Sequence, residues 1–79
     1  MNVTVYGRPG CVACHYTRRK MDELGVDYEY VDIDGDHAAD LLEQGDWTAL
    51  PIVLVDHPSY TDGWCGFRLE KIRGLQHAF

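Results

Sequence analysis

Long apolar runs are what this sequence most plainly lacks; none approaches the roughly 20 residues that a membrane-spanning helix needs. Basic residues are also scarce, with 7 Lys and Arg against 13 Asp and Glu and a formal net charge of −6. A surface of that sign repels phosphate, so no nucleic-acid partner is expected. The opening Met1-Asn2-Val3-Thr4-Val5-Tyr6 alternates like a strand and lacks the basic-then-apolar layout of a secretory signal. A cytoplasmic protein with no membrane attachment is therefore expected. Cysteine is sparse and odd in number, three in 79 residues. A secreted mini-domain held by disulfides would carry an even count at wider spacing. In a reducing compartment a close cysteine pair is more often catalytic or metal-binding than structural. Repeats, low-complexity stretches and linkers are absent too, which leaves one small domain over 1–79, expected as a monomer with a thin core.

What is present alternates in type. Residues 3–6 are a short β-branched and aromatic run, ended by the turn Gly7-Arg8-Pro9-Gly10. Residues 12–24 take a helical period, with Ala13, Thr17, Met21 and Leu24 as the inward stripe and Gly25 closing the helix. Residues 28–33 read as a second strand, in which Tyr28 and Tyr30 alternate with acids and serve packing. Asp36 caps a second helix that turns Ala38, Leu41 and Leu42 inward. Residues 51–55 form a continuous apolar strand. Asp56-His57-Pro58-Ser59 turns the chain into a strand over 60–64, and Gly66 opens a last helix with Phe67, Leu69, Ile72 and Leu75 toward the core. The order β-α-β-α-β-β-α implies a parallel first pair, an antiparallel closing hairpin, and a four-stranded mixed sheet flanked by three helices.

Cys11-Val12-Ala13-Cys14 falls where the first strand's turn meets the first helix. At a helix N-terminus the unpaired amides and the positive end of the dipole favour a thiolate, and a lowered thiol pKa makes a better nucleophile at neutral pH. Arg8, Arg18, Arg19 and Lys20 add positive charge nearby in sequence. Two intervening residues in a first helical turn let the sulfurs join. Cys11 is then the outward nucleophile and Cys14 the inward resolving thiol of a disulfide exchange. Three other readings use the same residues. With His15 the run matches a haem-attachment pattern, against which the strand-first context speaks. Zinc could be held with Cys65 and one of His15, His37, His57 or His77, but a second tight ligand pair is lacking. Two inert core cysteines would sit inside an apolar stripe rather than at a turn. No residue is therefore assigned to a metal. Asp32, Asp34, Asp36 and Asp40 lack the spacing of a calcium loop.

Leu50-Pro51 at a strand start suits a residue without an N–H, or a cis bond that exposes a backbone edge beside the cysteines. Trp64-Cys65-Gly66-Phe67-Arg68 marks a strand-to-helix corner at the same end of the sheet, fit for packing or for docking a partner. With these three motifs in order, nearly the whole chain resembles the NrdH-redoxins, glutaredoxin-like electron donors of the thioredoxin superfamily. The resemblance implies a thioredoxin/glutaredoxin fold, Cys11 as nucleophile, Cys14 as resolving thiol and Pro51 as the cis-proline. It further implies a partner surface of Arg8, Val12, Leu50 and Pro51 together with Trp64, Cys65, Gly66, Phe67 and Arg68. It implies no bound cofactor beyond the redox-active Cys11–Cys14 disulfide, NADPH feeding it through thioredoxin reductase, and class Ib ribonucleotide reductase as acceptor. Two positions depart from the family pattern: Cys65 stands where serine or threonine is usual, and Leu69-Glu70 where proline-acid is usual. Gly7-Arg8-Pro9-Gly10 resembles a glutaredoxin entry, which makes a glutathione-dependent glutaredoxin the rival reading. A non-catalytic zinc-holding or partner-binding module is the rival from another class.

Overall fold

The computed structural model describes residues 2–33, 47 and 49–76. Strand β1 (Asn2–Gly7) alternates Val3, Val5 and Gly7 inward, and helix α1 (Val12–Glu23) follows after a three-residue turn closed by Cys11 N–H donating to the Arg8 carbonyl at 3.2 Å. Strand β2 (Glu29–Asp32) returns beside β1 in parallel, with Val5 opposite Tyr30 and Gly7 opposite Asp32. Strand β3 (Ile52–His57) runs antiparallel on the other side of β1, pairing Val3 with Val55 and Val5 with Val53. Strand β4 (Tyr60–Cys65) forms a hairpin with β3, and helix α2 (Leu69–Gln76) ends the described chain. The sheet order is β2-β1-β3-β4, the mixed four-stranded sheet that the alternation of elements predicts. The predicted helix around Ala38, Leu41 and Leu42, with its cap Asp36, lies outside the described residues.

The pleat assigns the two faces. Val3, Val5, Val53, Val55 and Trp64 share one face and meet Met21 from α1 and Ile72 and Leu75 from α2. Ile33 and Ile52 lead a second cluster on the opposite face, with Tyr6, Trp47, Leu50, Leu54 and Cys65 packed against it. Because strand side chains alternate, Trp64 and Cys65 necessarily point to opposite sides of the sheet.

Three expectations need correcting. The buried stripe of α1 is Cys14, Thr17 and Met21, while Ala13 and Leu24 are only half-buried. The turn phases the helix so that Cys14, not Ala13, faces the Cβ-less Gly7. Asp56 and His57 belong to β3, because the hairpin turns on Pro58 and Ser59 alone. Phe67 does not enter the core; it is 41% exposed. Gly66 sits at φ +79°, where other residues are strained, and this reversal holds Phe67 outside the helix. The helix itself starts at Leu69, with the Arg68 carbonyl accepting from Lys71 and Ile72.

The core is uneven in quality. Met21 is fully buried, whereas the buried hydroxyl of Thr17 has no hydrogen-bond partner. In urea titrations of the reduced protein, Met21→Ala is expected to lower the unfolding free energy by about 2–4 kcal/mol through lost burial and a residual cavity. Thr17→Val keeps the shape and removes a desolvated hydroxyl, so it is expected to raise stability by about 1 kcal/mol. A loss on Thr17→Val would mean that the hydroxyl is satisfied in solution.

Candidate active site

Cys11 is the N-cap of α1. Its backbone is extended (φ −83°, ψ 111°), its carbonyl accepts from His15 N–H at 3.1 Å, and its sulfur accepts from the Cys14 amide at 3.1 Å. That last bond places the sulfur where serine, threonine or aspartate oxygen normally caps a helix. The first turn of α1 contains no acidic residue, and the Cys11 sulfur lies at the positive end of the helix dipole. Cys11 and Cys14 are joined as a disulfide with their α-carbons 5.2 Å apart. Exposure separates their roles: Cys11 is half-buried at the surface, while Cys14 is only 2% exposed.

Side-chain cations contribute less than their sequence neighbourhood suggests. Arg19 and Lys20 engage Glu23 at 3.5 and 2.8 Å, and these contacts hold the Glu23 carboxyl below its usual range, with the Lys20 hydrogen bond as the main cause. They lie eight or more residues beyond the N-cap, on the order of 12 Å along the helix axis, with Arg19 exposed and Lys20 half-buried. Arg18 donates to the Tyr28 hydroxyl at 3.5 Å, which raises the guanidinium pKa above its ordinary value, and sits 4.1 Å over the Tyr30 ring. The polar contact shown at the Cys11 sulfur comes from a backbone amide, that of Cys14.

Contacts link several of the residues singled out from sequence. Leu50-Pro51 is a cis peptide, and the Pro51 carbonyl accepts from Gly66 N–H at 2.9 Å, tying the β3 entry to the corner after β4. Val12 is 67% exposed beside Cys11 in an open depression lined also by Gly10, His15 and Tyr16. The Phe67 ring lies 6.3 Å from that of Tyr16, itself exposed, so helix α1 and the 66–68 corner share one apolar patch. Arg68 donates to Glu70 at 2.7 Å, which lowers the Glu70 pKa and holds the guanidinium at the helix start. Trp64 stands apart from this surface: it is 5% exposed and belongs to the core beneath the corner. Cys65 is a half-buried thiol outside the disulfide, opposite Ile52 and on the other sheet face from Trp64. Among the described residues no three of His, Cys, Asp or Glu gather into a group able to hold a metal. Sequence reasoning passed over Tyr16, whose exposed ring completes the patch; its place one turn after Val12 on the same helix was the available signal.

Comparison with known proteins agrees with this geometry. The glutaredoxin family model matches residues 3–58. The glutaredoxin-like protein NrdH of Escherichia coli K12 is 37% identical over 79 residues, covering 99% of this chain and 93% of that protein. The NrdH-redoxin structure from Escherichia coli, described for a thioredoxin-like activity profile, superposes with a TM-score of 0.82 at 36% identity, covering 95% of each chain. A glutaredoxin from Archaeoglobus fulgidus superposes at 0.71 with 26% identity, covering 94% of this chain and 84% of that one.

With the disulfide reduced, the capped sulfur is expected to carry the reactive thiolate. Brief iodoacetamide treatment at pH 6–7, followed by peptide mass spectrometry, should label Cys11 at least about tenfold faster than Cys65, with Cys14 slowest. Equal labelling of Cys11 and Cys65 would remove the N-cap as a source of thiolate.

Proposed function

The chain belongs to the glutaredoxin family, among its NrdH-like members, and from that premise we propose that it is a cytoplasmic, monomeric dithiol carrier that passes electrons from thioredoxin reductase to a disulfide in a protein partner. The observation that carries this reading is the Cys11 sulfur capping α1 while Cys14 lies buried one turn behind it. In the reduced protein the Cys11 thiolate attacks a sulfur of the partner's disulfide. That bond breaks, a mixed disulfide forms, and the released partner sulfur takes a proton from water. Cys14, as its thiolate, then attacks the Cys11 sulfur; the Cys11–partner bond breaks, and the second partner sulfur leaves as a thiol. Two electrons have moved to the partner and the Cys11–Cys14 disulfide remains. NADPH restores the dithiol through the reductase, and no cofactor is bound by the carrier.

The partner's chain is read by the surface around the pair. Leu50 and cis-Pro51 present a backbone edge for an extended segment, Val12 and Phe67 contact its apolar side chains, and Arg8 and Arg68 bind its polar groups. Gly66 sets the corner, with Trp64 supporting it from the core and Cys65 from the opposite sheet face. Resemblance to the NrdH-redoxins favours class Ib ribonucleotide reductase as acceptor. The thioredoxin-like activity profile of the Escherichia coli relative favours thioredoxin reductase over glutathione as donor.

Reduction of a small-molecule disulfide under two feeds tests the donor. NADPH with thioredoxin reductase should support turnover, and NADPH with glutathione and glutathione reductase should give less than about a tenth of that rate; the reverse would make the protein a glutathione-dependent glutaredoxin. Cys11→Ser should abolish turnover, and Cys14→Ser should trap the partner as a stable mixed disulfide visible on a non-reducing gel. Activity under neither feed would sink the carrier reading.

A further inference from the structure

Gly7 ends β1 directly against the buried cysteine. A Cβ built on it would lie 2.6 Å from the Tyr30 hydroxyl, 2.9 Å from a Tyr30 ring carbon and 3.0 Å from the Cys14 sulfur. The missing side chain of Gly7 thus leaves a notch, and the phenol of Tyr30 and the sulfur of Cys14 both border it. Tyr30 is half-buried on β2, packed against the core, with the Arg18 guanidinium 4.1 Å above its ring. Cys14 is buried, at 2% exposure, so a thiolate there is costly unless a donor is at hand. Its own amide is directed to the Cys11 sulfur and helps the other thiol.

We propose that Tyr30 is a positioning residue for the resolving step, its hydroxyl supplying the hydrogen bond that stabilises the Cys14 thiolate across the Gly7 notch. The inference rests on the dithiol reading above. In the disulfide, Cys14 sulfur has no charge to stabilise. Once Cys11 is engaged in a mixed disulfide, the Cys14 thiol loses its proton to water. The phenol O–H then donates to the new thiolate, which attacks the Cys11 sulfur and displaces the partner sulfur. Tyr30 keeps its proton throughout and only lowers the free energy of the attacking anion. A cation over the ring face makes the phenol a stronger donor. The charged and titratable groups on the packed elements are His15, Tyr16, Arg18, Arg19, Lys20, Asp22 and Glu23 on α1 with Cys11 as its cap, Tyr6 on β1, Glu29, Tyr30 and Asp32 on β2, Tyr28 just before β2, and Arg8 in the turn. Of these, Tyr30 is the one that borders the Gly7 notch together with the Cys14 sulfur.

The test compares wild type with Tyr30→Phe, which keeps the ring and removes the hydroxyl. Cys14 is titrated by thiolate absorbance in the Cys11→Ser background, and resolution of a mixed disulfide between Cys11 and thionitrobenzoate is followed by release of the chromophore from pH 6 to 10. Tyr30→Phe should raise the Cys14 titration midpoint and slow resolution about three- to tenfold at neutral pH, with the two rates converging at high pH. Alkylation of Cys11 should be unchanged. Superimposable pH profiles, or a loss of equal size at every pH with an unmoved Cys14 titration, would overturn the role of Tyr30. Failure of the wild-type mixed disulfide to resolve at all would instead overturn the dithiol reading.

Discussion

The hydrogen bond from the Cys14 amide to the Cys11 sulfur is the contact on which the rest of the site depends. It is a helix cap and a redox device at once. As a cap it satisfies one of the amides that any helix leaves open at its start. As a redox device it fixes the more accessible sulfur at the positive end of the helix, where negative charge is most stable. The fold's contribution is to make that end point outward. Strand β1 runs through the middle of the sheet, flanked by β2 and β3, and delivers the chain to its edge; a short turn then starts the helix there.

The same arrangement explains why the two thiols are chemically unlike although only three residues apart. Moving one turn into the helix carries the chain from the cap to the buried stripe, so Cys14 leaves water while Cys11 keeps it. Burial disfavours charge, so the two sulfurs sit in unlike environments. Gly7 is what makes this burial possible, since any side chain there would collide with Tyr30 and crowd the sulfur.

Much of this was legible in the residues themselves. The alternation of Val3 and Val5, the apolar run from Ile52 to Val55 and the helical period between them specify strand, helix and strand by local pattern alone. The cysteine pair was legible because its meaning depends on position at a turn, which local signals mark well. What stayed hidden depends on contacts between distant segments. The Gly7–Tyr30 approach follows from the register of β1 on β2, which no local pattern encodes. Trp64 and Phe67 both read as apolar, and only the pleat and the reversal at Gly66 send one inward and the other out. At the start of the helix Ala13 and Cys14 are both apolar, and the facing glycine makes Cys14 the buried one.

Charge leads to a last step. Of Arg8, Arg18, Arg19 and Lys20, the cations near the pair in sequence, the structure commits Arg19 and Lys20 to Glu23 and turns Arg18 to Tyr28 and Tyr30. An activation scheme built on mobile, exposed side chains would weaken with salt and vary with side-chain motion. One built on backbone amides is fixed by the helix and screened far less. This frees the surface around the pair for another task. Val12, Tyr16 and Phe67 form an apolar patch in contact with water, which is costly to maintain unless something covers it during the reaction. On the proposed reading activation resides in the backbone and recognition in the side chains, so a surface substitution can change which disulfide is reduced without altering how reduction occurs.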